Sequence, residues 1–222
     1  MRIPGRQIWL LPLLLLPLII LLGAGHGECS LKKYVDKYSK STISQQRLDR
    51  VSRYNDLIDY YCRFTFFRPK HRVSPDFIKA LILAESDGNP RAVSHKRAMG
   101  LGQIILTTGQ EAGRELARRH IDFQHVSRST LKNITAKDLF DPAVNILLTC
   151  YLISKYNHKF NGRLDLVLTA WNAGENTRQL RWGRPAPYRE TLNLIGKVNG
   201  YYLFLLKQKQ LRKQKRIAFR RM

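Results

Sequence analysis

The sequence predicts a mainly α-helical single domain with little or no sheet. Three observations carry that expectation. Helix starts are marked by a capping residue followed by proline, at Ser74-Pro75 and Asp141-Pro142. Matching stops come later, at Gly88-Asn89-Pro90 and Asn161-Gly162. Between them, apolar residues recur three and four positions apart, the period of a helix with one buried face. At 222 residues the chain is long enough for one domain with a full hydrophobic core.

Taken in order, residues 1–28 read as a signal peptide or membrane anchor. Arg2 and Arg6 precede an apolar run from Ile8 to Leu22, and Gly23-Ala24-Gly25 comes next as a small-residue cleavage site. The run falls short of the ~20 residues that a span needs. Cys29 raises a lipoprotein reading, but His26-Gly27-Glu28 before it lacks the small apolar character of a lipidation site. The chain beyond Gly25 is therefore expected outside the cytoplasm, in the periplasm or cell envelope. Residues 29–73 form a basic helical lead-in, with Tyr34, Tyr38, Val51, Tyr54, Leu57, Ile58 and Tyr61 at helical spacing, packed on the next domain.

Ser74-Pro75 opens the next helix, and Ile78, Leu81, Ile82 and Glu85 fall on one face of it. Thr108 with Glu111 reads as a capping box opening a helix to about Arg119. Residues 120–140 are polar and irregular, and are expected to fold over a cleft. Asp141-Pro142 starts a long apolar helix to about Lys159. Leu164–Trp171 is a short buried helix, and Pro187 opens the last one, which runs toward a basic tail at 204–222.

Three cysteines, Cys29, Cys62 and Cys150, cannot all pair within the chain, and their spacing has no metal-ligand pattern. Cys150, in the apolar stretch NILLTCYL, reads as a small core residue, and a Cys29–Cys62 bridge stays open. The excess of 39 Lys and Arg over 16 Asp and Glu gives a formal charge of +23. Nucleic acid, anionic lipid and the anionic bacterial wall would all attract such a chain. No DNA-reading motif accompanies the charge, so nucleic acid is the disfavoured partner. The tail is expected to contact an anionic membrane or wall.

Glu85 is the chemical candidate. It shares a face with three aliphatic residues and ends its helix at the negative end of the helix dipole. Both surroundings disfavour the ionised form and push the pKa up. A pKa of about 6 to 7 suits a general acid. An ordinary glutamate at a helix end keeps its carboxylate in water, so the surrounding residues decide.

Glu85-Ser86 is followed by Asn89-Pro90, Ala92, Ser94, Ala98, Gly100-Leu101 and Gln103-Ile104. Asp141-Pro142, Asn145-Ile146 and Tyr151-Leu152 come next, then Ala170-Trp171-Asn172-Ala173-Gly174, then Pro187-Tyr188 and Glu190-Thr191. This order resembles the soluble lytic transglycosylase family, across residues 74–203. The resemblance implies a lysozyme-like domain of the α+β superfamily, helical here, with a cleft for peptidoglycan glycan strands and no cofactor. It implies Glu85 as the catalytic acid and then base. Ser94, Gln103, Trp171, Asn172, Tyr188 and Glu190 would bind substrate, and Ser86, Gly100 and Gly102 would support the site. Family members often serve secretion or conjugation machinery, which makes such a machine a candidate partner.

Several positions depart from the family pattern. Trp171 replaces a tyrosine, keeping a ring but losing the hydroxyl that would approach the acid. Gly102 stands in place of methionine, Leu106 of proline and Leu194 of tyrosine. Two neighbouring readings stay open. One is a goose-type lysozyme that hydrolyses the same strands. The other is a glycan-binding component of an envelope machine that no longer cuts.

Overall fold

A computed structural model describes residues 26–119 and 121–219, with side chains from Leu31 onward. The leader expected at the N-terminus lies largely outside the described residues. Nine helices are described: α1 (His26–Tyr38), α2 (Gln45–Ser52), α3 (Asn55–Cys62), α4 (Pro75–Glu85), α5 (Leu106–Ala117), α6 (Arg128–Lys132), α7 (Pro142–Lys159), α8 (Leu164–Ala173) and α9 (Arg189–Phe219). Among the described residues there is no strand. Three isolated bridges, such as Val93 with Met99 and Met99 with Ile104, stand in for a sheet. The mainly α expectation holds.

α4 is the centre of the molecule. Pro75 fills its first turn, where a missing N–H costs nothing. Phe77, Ile78, Ala80, Leu81, Ile82, Leu83 and Ala84 are all buried, so the helix is covered nearly all round. It packs on α9, α3 and α2. α7 is the second buried rod. Its Asp141 cap accepts from the Ala143 amide at 2.7 Å, and Pro142 takes the first helical position. It ends at Lys159, after which Asn161 and Gly162 adopt positive φ. Ile43, Val51, Ile58 and Tyr61 from the lead-in enter the same core as Leu81, Ile146 and Val198.

Three expectations need correction, and one question left open is answered. Thr108 is not a cap, because α5 starts at Leu106 after an extended Ile105. Leu106 therefore occupies a first-turn position suited to the proline it replaces. Residues 121–140 do not form a flap. Leu131, Ile134 and Leu139 are buried at 1%, 2% and 0% exposure, and the segment packs on α5 and α7. Cys62 does not wait for Cys29. It is buried and free beside Cys150, with the sulfurs 3.9 Å apart. The basic tail is no separate end, since α9 continues unbroken to Phe219.

Candidate active site

Glu85 is the last residue of α4, so its backbone is fixed by a buried helix while its side chain leaves the core. Glu85 is part-buried, and the desolvation of its carboxyl pushes the pKa from the usual carboxylate range up to about 7. Three neighbours trim or add to this. The Trp171 indole N–H donates to Glu85 Oε1 at 2.7 Å and favours the ionised form. The Lys197 ammonium acts in the same direction, and the charge of Glu190 opposes it.

The helix terminus itself is not left bare. Lys197 Nζ donates to the Ala84 carbonyl at 2.8 Å, and Arg47 donates to the Leu83 carbonyl at 3.3 Å. Two cations thus cover the negative end of α4. Burial rather than the helix dipole is what raises the acid, which corrects the account drawn from the sequence.

Trp171 also corrects an expectation. Its hydroxyl-bearing counterpart is gone, yet the indole reaches the acid with an N–H of its own. An indole nitrogen is a donor only. Oε1 is therefore held as the acceptor, and a proton on Glu85 resides on Oε2.

Other carboxylates near the site are committed elsewhere. Asp87, at φ 57, turns away to pair with Arg47 at 2.5 Å and with Arg50. Glu175 is bound by Lys155 at 3.3 Å and Lys159 at 2.8 Å, and these cations hold its pKa below the usual range despite burial. Glu190 accepts from Lys96 at 2.5 Å, which keeps it ionised, and a hydrogen bond with Asn172 adds to this. Asn172 in turn accepts from the Thr191 hydroxyl at 2.6 Å. Trp171, Asn172, Glu190 and Glu85 are thereby joined in one constellation at the ends of α4, α8 and α9.

The loop between α4 and α5 is held by its own polar side chains. Ser94 Oγ accepts from the Ala98 amide at 3.0 Å. The Gln103 amide nitrogen donates to the carbonyls of Ala92 and Gly100 at 3.1 and 2.9 Å. Both residues thus do turn work, leaving the Gln103 carbonyl oxygen and the Ser94 hydroxyl proton for a ligand. Ser86 Oγ donates to Leu101 O at 2.8 Å and ties the loop to the end of α4. Gly100 and Gly102 give close approach to α7, not to a ligand. Gly100 has φ +76, and a Cβ there would collide with Leu139 O and the Asn145 amide. A Cβ at Gly102 would strike Thr149 Oγ1. Tyr188 is 53% exposed and offers its ring to solvent.

Asn145, Lys197, Lys96 and Thr191 were not singled out for roles from sequence. Asn145 is 1% exposed and makes three bonds, accepting from Gly102 N and donating to the Met99 and Leu139 carbonyls at 2.7, 3.0 and 2.8 Å. Its place in an Asp-Pro-x-x-Asn run at a helix start was the available signal.

The structure is thus a helical domain with one glutamate of raised pKa at the end of its buried central helix. The chain belongs to the transglycosylase SLT domain family, whose model matches residues 67–194. The membrane-bound lytic murein transglycosylase C of Klebsiella pneumoniae is 34% identical over 112 residues, covering 47% of this chain and 28% of that protein. The 70 kDa soluble lytic transglycosylase of Escherichia coli superposes with a TM-score of 0.54 at 19% identity, over 80% of this chain and 29% of that one. An inactive mutant of the lytic transglycosylase Slt from Pseudomonas aeruginosa gives 0.52 at 22% identity, over 69% and 24%. These two structures share the fold. The chain spans less than a third of the length of each of these relatives.

Proposed function

We propose that this protein is a peptidoglycan lytic transglycosylase that works in the cell envelope. It would cleave the β-1,4 bond between N-acetylmuramic acid and N-acetylglucosamine and leave a 1,6-anhydro end. The observation that carries this reading is a single part-buried acid with a pKa of about 7, its Oε1 held by Trp171 at 2.7 Å. Family membership and relatives named as lytic transglycosylases support it.

The chemistry uses one group twice. Protonated Glu85 gives its Oε2 proton to the glycosidic oxygen, and the bond from that oxygen to the muramyl anomeric carbon breaks. Positive charge develops on the sugar ring. The new Glu85 carboxylate then takes the proton of the sugar's own 6-hydroxyl, and that oxygen closes on the anomeric carbon. Glu85 ends protonated again, and no water is consumed. A group that must act as acid and then base works best with a pKa near the working pH. Hydrolysis with two carboxylates would want a second acid facing the first across the sugar. Here Asp87 and Glu175 are both engaged by cations.

Glu190, held ionised by Lys96, supplies the negative field that opposes ionisation of Glu85. Asn172, Tyr188 and the free functions of Ser94 and Gln103 would receive the sugars, and the basic end of α9 would meet anionic wall or membrane. Digestion of purified peptidoglycan followed by mass spectrometry of the products tests the reading. Anhydro ends are expected. Reducing ends would identify a hydrolase, and binding without cutting a glycan-binding component.

A further inference from the structure

α1 lies outside the residues matched by the family, yet it is seated on α9 with great closeness. Gly196 and Gly200, one helical turn apart, make this possible. A Cβ on either would collide with the backbone carbonyl of Tyr34 or Tyr38. The Tyr38 hydroxyl donates to Asn193 Oδ1 at 2.9 Å and fixes the register.

This seating creates a groove of about 790 Å³ between α1 and the start of α9. Lys33, Tyr34 and Lys37 line it from α1, and Arg189, Glu190 and Asn193 from α9. Three cations face one acid, and that acid is already engaged by Lys96 at 2.5 Å. The groove is therefore cationic, with an aromatic ring and an amide in its wall. It lies beside the candidate active site, because Glu190 lines it and the next residue, Thr191, bonds Asn172 at 2.6 Å, adjacent to the Trp171 that holds Glu85.

We propose that this groove is a subsite for the acidic peptide stems of the glycan, with Lys33, Lys37 and Arg189 receiving the stem carboxylates. The proposal rests on the peptidoglycan reading above. Each N-acetylmuramic acid of a strand bound at Glu85 carries a lactyl-linked peptide, and stem peptides bear free carboxylates at side chains and at the end. An anionic branch leaving the cleft past Glu190 enters a channel of opposite charge. α1 thereby adds a selector for peptide-bearing strands to the matched domain. Exposed ion pairs are individually weak and screened by salt, so three convergent cations give a moderate preference that fades as salt rises.

The test separates binding from cutting. The full chain carrying Glu85→Gln is titrated with glycan strands bearing intact stems and with the same strands stripped by an amidase. Stem-bearing strands are expected to bind about fivefold tighter. Adding Lys33→Ala and Arg189→Ala is expected to remove that gap while affinity for stripped strands stays within about twofold. Lys37→Ala is tested in a second variant, because Lys37 also bonds Asn193 at 3.3 Å. Equal binding of the two strands, a gap that survives both variants, or equal losses on both strands would overturn the assignment. So would competition by short polyphosphate as strong as that by free stem peptide, which would mark general polyanion capture. Product analysis with the unmutated chain judges the cleavage reading separately, since the binding comparison does not depend on it.

Discussion

The Trp171 indole nitrogen lies 2.7 Å from Glu85 Oε1, linking the end of α8 to the end of α4 through a carboxyl whose pKa is raised to about 7. An N–H aimed at a carboxylate stabilises its charged form. Removing it with Trp171→Phe leaves the enclosing protein and deletes the donor. The Glu85 pKa then rises above about 7, and the alkaline limb of the pH–rate profile moves up by roughly half to one unit. Because the ionised acid is less stabilised, maximal turnover falls about tenfold. Trp171→Tyr restores a donor and recovers part of the loss. Rates of wall solubilisation from pH 5 to 9 measure both effects.

Under the proposed mechanism Glu85→Gln abolishes cutting, with an expected loss of at least about a thousandfold, because Glu85 is the group assigned to move the proton. The same substitution stabilises the fold at alkaline pH. The folded-state pKa of Glu85 is raised from 4.5 to about 7, so the native state holds the proton more tightly than the unfolded chain does. Stability therefore falls as pH rises from about 4.5 to about 7, and the full penalty persists above. The glutamine carries no such penalty. Urea unfolding is expected to favour the variant by roughly 3 kcal/mol at pH 8, with the difference gone near pH 4.

Lys197→Met removes the ammonium that bonds Ala84 O and stabilises the Glu85 carboxylate. The Glu85 pKa rises, and the alkaline limb shifts upward as it does for Trp171→Phe. Unlike that variant, Lys197→Met also exposes a helix-end carbonyl, costing about 1 kcal/mol of stability. A shift of the limb without a drop in melting temperature would sever the two roles.

Asn145→Ala breaks three hydrogen bonds and leaves Gly102 N, Met99 O and Leu139 O unpaired in the core. A loss of about 2–4 kcal/mol is expected from thermal or urea unfolding. The loop carrying Ser94 and Gln103 loosens with it, so KM for glycan rises among molecules that remain folded.

Gly200→Ala forces α1 off α9, since the added methyl meets the Tyr38 backbone. Overpacking of this kind costs about 1–3 kcal/mol. Exchange of amide hydrogens along 31–38 is expected to speed up before the rest of the domain responds.

Helix ends marked by proline and caps were legible because the signal is local. Ser74-Pro75 and Asp141-Pro142 open α4 and α7 as expected, although only Asp141 caps with its side chain and the Ser74 hydroxyl makes no capping bond, and Asn161-Gly162 closes α7. Thr108 with Glu111 misled because a capping pattern says nothing about the extended residue that precedes a helix, and Ile105 sets the true start. Glu85 was legible from its face and position. Its Trp171 donor was missed because a ring was compared by its hydroxyl and not by how far its own N–H reaches. Lys197 lies 113 positions from Ala84, and no local pattern could seat its ammonium on that carbonyl. Ser94 and Gln103 serve the loop's own carbonyls and amides, because a polar loop must first satisfy its own backbone.

α9 runs for 31 residues, about 45 Å at the rise of a helix, without interruption. Its first turn touches the candidate cleft through Glu190, its middle clamps the acid's own helix through Lys197, and its far end carries the exposed Arg212, Lys213, Lys215 and Arg216. Such a strut is stiff over its whole length. Whatever grips the far end, be it a bilayer, a wall polymer or a docking protein, dictates which way the candidate site faces, as a handle aims a tool.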